Sequence, residues 1–199
     1  MLCVAAQFTV ASTATAGGKS ALDTQAIDEV LRLRDTALAI AAVTAEKKRM
    51  LAALDRNLRA EFDFLAITKS VLGPFWTAAN AEEKSDAVEL FADILAHATV
   101  AKFEKYRNLP YAIKQILHLG NGDLVVVTHF TEADGRNVVL DWRLRPAANE
   151  LKIVDVSVDA KSMVVKYRED ARNKIRSLNG SVRDFIVSLR ERPPTAALY

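Results

Sequence analysis

One cysteine, Cys3, stands among 199 residues, so no disulfide can form within the chain and no cysteine cluster can hold a metal. Histidine is almost as scarce. His97, His118 and His129 are the only three, and none shows the His-x-x-x-His or Glu-x-x-His spacing that sets two ligands on one helix face. The seven glycines build no phosphate-cradling loop, and no Gly-x-Ser-x-Gly elbow or Ser/His/Asp order is present. Net charge is only +2, with acids and bases interleaved, so the concentrated basic face of a nucleic-acid binder is missing. No apolar run is long enough to cross a bilayer. These absences leave little support for an enzyme, and His129 and Asp141 are the only polar candidates for one. A chain of this length is suited to one domain with a substantial core.

What is present begins with an apolar, small-residue N-terminus that runs to Ala14-Thr15-Ala16 before Gly17-Gly18. It resembles the second half of a secretory signal with its Ala-x-Ala cleavage site, although the charged start is absent. The expected organisation is a leader over residues 1–16 and a single domain over 17–199. The mature protein is then periplasmic, and it lacks Cys3.

Helices come first, a sheet next and helices last. Asp23 or Thr24 can cap a helix with Ile27, Val30, Leu31 and Leu38 on one side, and Met50, Leu51, Leu54 and Leu58 repeat the pattern over about 45–60. A short helix opened by Phe62-Asp63-Phe64 stops near Gly73-Pro74. Asn80 and Glu83 form a capping box for a long helix to about Tyr106, with Val88, Phe91, Ile94 or Leu95, Ala98 and Phe103 along its stripe. From Tyr111 the period becomes two. Turns at Asn121-Gly122, for which a tight type I′ geometry is expected, at Asp134-Gly135 and at 146–149 divide four strands over 111–119, 124–131, 138–145 and 151–158. Val154, Val156 and Val158 share a face in the last of these, opposite Ile153, Asp155 and Ser157. Ser162 caps a helix that Asn179-Gly180 ends, and an amphipathic helix with Val182, Phe185, Ile186 and Leu189 closes the chain before Pro193-Pro194. The fold class is α+β, a curved four-stranded antiparallel meander covered on one face by N-terminal and C-terminal helices, with an apolar cavity between.

Between Lys161 and Arg192 nine basic residues face four acidic ones. That face reads either as solvated helix surface or as a docking surface, centred on Arg168, Arg172 and Arg176, for an acidic partner or anionic headgroups.

Several blocks together carry a resemblance: Phe62-Asp63-Phe64, Val71-Leu72-Gly73 with Trp76, the capped helix after Asn80, Leu140-Asp141-Trp142-Arg143-Leu144, Lys152-Ile153-Val154-Asp155-Val156, and Ser162-Met163-Val164 with Tyr167-Arg168. From about Ile27 to Arg192 the chain resembles the MlaC/toluene-tolerance family of periplasmic phospholipid-binding proteins. The stretch Asn179 to Ile186 is similar to the hopanoid-associated HpnM branch. Where members commonly carry Glu-Gly before the Ser-Met pair, this chain has Ala160-Lys161. The resemblance implies a soluble monomeric carrier without cofactor, which holds acyl chains between helices and sheet. It implies exchange with an outer-membrane lipoprotein complex and an inner-membrane ABC transporter with an MCE-domain subunit. A hopanoid or other hydrophobic ligand, or a ligand-free interaction module, is the alternative. Lining residues expected on this basis are Phe64, Val71, Phe75, Trp76, Phe91, Leu95, Val126, Leu140, Trp142, Val156, Val158, Met163, Val164 and Tyr167. The polar tips of Trp142 and Tyr167 are expected at the pocket mouth.

Overall fold

The computed structural model describes residues 14–43, 46–148 and 150–191. Cys3, Pro193-Pro194 and Asn149 lie outside the described residues. Helices α1 (Ala14–Val43), α2 (Lys47–Glu61), α3 (Phe64–Leu72), α4 (Pro74–Ala78) and α5 (Ala81–Tyr106) precede the sheet. Strands β1 (Tyr111–His118), β2 (Leu124–Thr131), β3 (Asn137–Ala147), β4 (Glu150–Val158) and β5 (Lys161–Ser162) form it, and α6 (Met163–Ser177) and α7 (Val182–Arg190) follow. The sheet is antiparallel with its strands in sequence order, and it has five strands rather than the four expected. The fifth is a two-residue return, Ser157 pairing with Ser162 and Val158 with Lys161, too short for alternation to reveal.

Local chemistry sets several of the helix ends. Asn80 and Glu83 close the capping box in both directions, each accepting the other's backbone N–H at 2.9 Å. Ser162 caps α6 by accepting from Val165 N–H at 3.0 Å, and Asn179 and Gly180 leave that helix with φ of 55° and 84°. Pro74 starts the extra short helix α4, where its missing N–H costs nothing. Asp23 and Thr24 are not caps, because α1 already runs from Ala14. Asp23 instead meets His118 Nε2 across to β1 at 2.7 Å.

Both early hairpins differ from a two-residue turn. Gly122 and Gly135 donate to Leu119 and Glu132, while Leu119 and Glu132 donate to Asp123 and Arg136. Each is a three-residue loop whose glycine, at φ of 87° and 84°, supplies the left-handed step. Asn121 lies outside the left-handed region, so the type I′ expectation fails. Its side chain accepts from Asp123 N–H at 3.2 Å instead, which stabilises the loop without requiring positive φ.

A shift in register corrects the facing of β4. Trp142 pairs with Val156 and Arg143 with Asp155, but Leu144 pairs with Ile153, so Val154 is the extra residue of a bulge. Beyond that point the inward side changes. Leu151 and Ile153, exposed by only 1% and 0%, join Leu144 in the core, where strict alternation had assigned Ile153 to the opposite face from Val156. Ile175 of α6 and Phe185 and Ile186 of α7 belong to the same closed core.

Candidate functional site

Above this closed core the helices and the sheet part, leaving an apolar cavity of about 340 Å³. Its helical walls are Leu33, Ala37 and Leu38 of α1, Leu54, Asn57 and Leu58 of α2, and Leu95, Ala98 and Thr99 of α5. Its floor is the inner face of the sheet: Tyr111, Phe130, Leu140, Trp142, Val156 and Val158, with Phe62 and Met163 at the edges. Two of the helical positions are alanine, Ala37 and Ala98, so the walls stay short where larger side chains would meet the floor.

The polar groups among these walls are mostly turned to backbone carbonyls of the helices. Thr99 donates to the Leu95 carbonyl at 2.8 Å and Asn57 reaches the Leu33 carbonyl at 3.5 Å. Trp142 does not present its tip to water: Nε1 donates to Thr128 Oγ1 at 3.1 Å, and that hydroxyl donates to the Leu140 carbonyl at 3.0 Å. Among the described residues no carboxylate lines the cavity, and Arg34 and Arg107 are its charged members.

Six of the fourteen expected lining residues meet at this cavity: Leu95, Leu140, Trp142, Val156, Val158 and Met163. The other eight pack elsewhere. Val71 and Val126 are 1% and 0% exposed in the closed core, with Phe64 and Val164 also buried there. Phe91 meets Tyr167 edge-on at 6.0 Å, so Tyr167 stands inside packed structure and not at the cavity mouth. Phe75 and Trp76 lean on the same core from α4, with Lys84 Nζ 5.6 Å from the Trp76 ring. The reason is positional: α3 packs chiefly against α6 and α5, and α4 against α3, away from the cavity walls. The walls from α1 and α2 went unassigned in the sequence, although Leu38, Leu54 and Leu58 already stood out as apolar stripes. His129 and Asp141 pair with Val139 and Val127 on the outer face of the sheet, away from the cavity.

A scan against protein-family models matches the MlaC protein family over residues 27–191. The chain belongs to the MlaC family. A solved phospholipid-binding protein from Ralstonia solanacearum, crystallised in complex with a phospholipid, superposes with a TM-score of 0.74. It is 23% identical, and the match covers 87% of this chain and 97% of that one, so it shares the fold. Among curated proteins nothing matches.

Charge in this MlaC-family chain also gathers elsewhere. Arg168 and Arg172, two of the expected docking residues, line a shallow hollow with Lys69 and Arg145. Arg168 Nε also donates to the Ser70 carbonyl at 2.7 Å, and Arg176 is exposed two turns beyond Arg168. At the end of β3, Arg143 and Arg145 clasp the buried Asp123 at 2.7 and 2.9 Å. Burial pushes the Asp123 carboxyl up, but bonds from Arg145, Asn121 and Arg143 outweigh it and hold the group below its ordinary value. Beside the cavity wall, Glu29 of α1 and Glu61 of α2 share Arg32, whose Nη2 lies 2.5 and 3.0 Å from them. Burial first, and Glu61 second, push the Glu29 carboxyl up to about 7. Glu61 is held below its ordinary value by its bonds to Glu29 and Arg32 in spite of burial.

Proposed function

We propose that this MlaC-family chain is a periplasmic carrier that encloses the acyl chains of a phospholipid. It shuttles that cargo between an outer-membrane lipoprotein complex and an inner-membrane ABC transporter with an MCE-domain subunit. The observation that carries the reading is the apolar cavity of about 340 Å³ between α1, α2, α5 and the sheet, in a fold shared with a phospholipid-binding protein. Exposing methylenes to water costs ~0.8 kcal/mol each, roughly 12 kcal/mol for a 16-carbon chain, so a soluble carrier must enclose its cargo. The cavity sits at the small end of the ~300–1,000 Å³ usual for ligand pockets, so two acyl chains require its walls to yield. Facing parts of α1 and α2 are suited to yielding: Met50 and Leu54 form with Ala37 and Ile40 a small cluster beside the main core, touching it through Leu51.

Recognition by partners is assigned to the hollow of Lys69, Arg145, Arg168 and Arg172. Its charge suits an acidic protein surface. Native mass spectrometry of protein purified from its own host tests the cargo. A diacyl phospholipid adduct is expected; a triterpenoid adduct would replace the cargo with a hopanoid, and its complete absence would overturn the carrier reading.

A further inference from the structure

We propose that the cavity selects amphiphiles whose headgroup carries net negative charge, and that Arg34 and Arg107 at its rim make the selection. This rests on the phospholipid reading above and adds the class of headgroup. Among the described lining residues Arg34, from α1, and Arg107, from the turn that leads into β1, are the charged groups. An apolar interior with guanidinium groups at its edge complements a ligand with an apolar body and an anionic end.

Arg34 is held where such a headgroup would lie. Its guanidinium carbon sits 5.0 Å from the centroid of the Tyr111 ring, and the same ring forms part of the cavity floor. Stacking on an aromatic face fixes the plane of the guanidinium and leaves its edge for a bidentate oxyanion. Its present ion pair, Nη1 to Asp35 Oδ1 at 2.9 Å, is with a carboxylate two-thirds exposed to solvent. Solvent-exposed pairs of that kind are weak, so an incoming phosphate competes easily for the guanidinium. Beneath it the Tyr111 hydroxyl is buried without a hydrogen bond of ordinary geometry. The neighbouring Thr128 hydroxyl is engaged by Leu140 and Trp142. The Tyr111 hydroxyl is therefore a donor available to a ligand oxygen. Burial, opposed by Arg34, raises the Tyr111 pKa to about 12, so the proton needed for donation stays in place at neutral pH.

A zwitterionic headgroup brings its own cation next to two guanidinium groups, whereas an anionic one does not. The difference is about tenfold in occupancy, comparable with one charge-assisted hydrogen bond at a half-exposed site. Delipidated full-length protein is incubated with vesicles containing phosphatidylglycerol and phosphatidylcholine of identical acyl chains in equal amounts. Because both lipids share one membrane, attraction of the protein to the surface cannot favour either. Lipid recovered with the protein is then quantified by mass spectrometry. The expected ratio is about ten to one for phosphatidylglycerol, falling to near parity in Arg34→Gln/Arg107→Gln and retained in Arg34→Lys. Equal recovery of both lipids by the unmodified protein overturns the selection while leaving the carrier reading intact. A preference that survives the double substitution overturns the assignment to these arginines. Recovery of neither lipid overturns this inference together with the reading beneath it.

Discussion

One sheet floors two different interiors. Below the β4 bulge, Leu144, Leu151 and Ile153 meet Ile175, Phe185 and Ile186, and these six side chains are at most 3% exposed. Above it, Leu140, Trp142, Val156 and Val158 are only half-buried and look onto the cavity. The strands are equally apolar in both halves. What differs is the covering helices: Ile175 of α6 and Phe185 and Ile186 of α7 belong to the closed core, while α1, α2 and α5 stand off the sheet around the cavity. Hydrophobic composition therefore cannot tell a closed core from an open one. How closely the covering helices approach the sheet can.

The largest effect expected from this contrast is in the closed half. Ile153, fully buried, also shares a backbone link with the connection between α2 and α3, since Asp63 N–H donates to its carbonyl at 3.0 Å. Ile153→Ala should destabilise by about 2–5 kcal/mol, through lost transfer energy and the void left behind. Retained lipid per folded molecule should stay unchanged. Chemical denaturation, with lipid analysis of the remaining native fraction, measures both; a stability loss under 1 kcal/mol would show that the lower half is not closed.

In the open half the pattern should invert. Leu140→Trp adds its extra atoms to a half-buried position at the cavity floor, so the lipid-free melting temperature should change little. In a close-packed core the same enlargement costs ~1–3 kcal/mol. Retained lipid should drop severalfold, because the indole occupies the space of an acyl chain. Strong destabilisation of the lipid-free protein with lipid undiminished would place Leu140 in ordinary core and remove the distinction between the halves.

Much of this architecture was legible in the sequence for local reasons. The caps at Asn80 and Ser162, the stop at Gly73-Pro74 and the alternation in β2 and β3 are each set by residues close to one another along the chain. The misreadings came from long-range causes. The bulge at Val154 arises from pairing between β3 and β4, so Ile153 was assigned to the wrong side. The eight expected lining residues outside the cavity, such as Val126 and Tyr167, sit on suitable apolar faces. Which helix covers them is decided by tertiary packing. Conversely Arg34 and Tyr111 carry no motif; only the approach of α1 to β1 brings them together at 5.0 Å.

The latch between the walls gives a smaller, pH-dependent effect. Glu29, its folded pKa raised from 4.5 to about 7, holds a proton in the folded state that the unfolded chain gives up. Its contribution is complete below pH 4.5 and is lost as pH rises to about 7. Glu61 shifts the other way, so its contribution falls away only under more acidic conditions. Glu29→Gln keeps a neutral donor facing Glu61 and removes the titration. Melting curves should show the parent protein losing ~1 kcal/mol between pH 5 and 7 and the variant staying flat. A parent protein with no such slope would mean that α1 and α2 are not joined by a shared proton.

The smallest effect lies where the two halves are joined. Asp159 and Ala160 turn the chain from Val158 to Lys161, carrying it from the cavity floor into α6, and their φ values are 47° and 64°. Asp159 has local compensation: its side chain accepts from Val139 N–H at 3.0 Å and its own N–H donates to the Val139 carbonyl at 2.9 Å. Ala160 has no side chain that could do the same. A Cβ in the left-handed region costs ~1–2 kcal/mol, which glycine removes. Against that, glycine adds ~0.4–1 kcal/mol of conformational freedom to the unfolded chain. The difference favours Ala160→Gly by about 0.5–1 kcal/mol, read as a rise in denaturation midpoint with an unchanged slope. Because the turn keeps its path, Val158 and Met163 should stay at the cavity and lipid retention should not move. A fall in stability would mean that the turn is not held in the left-handed conformation in solution.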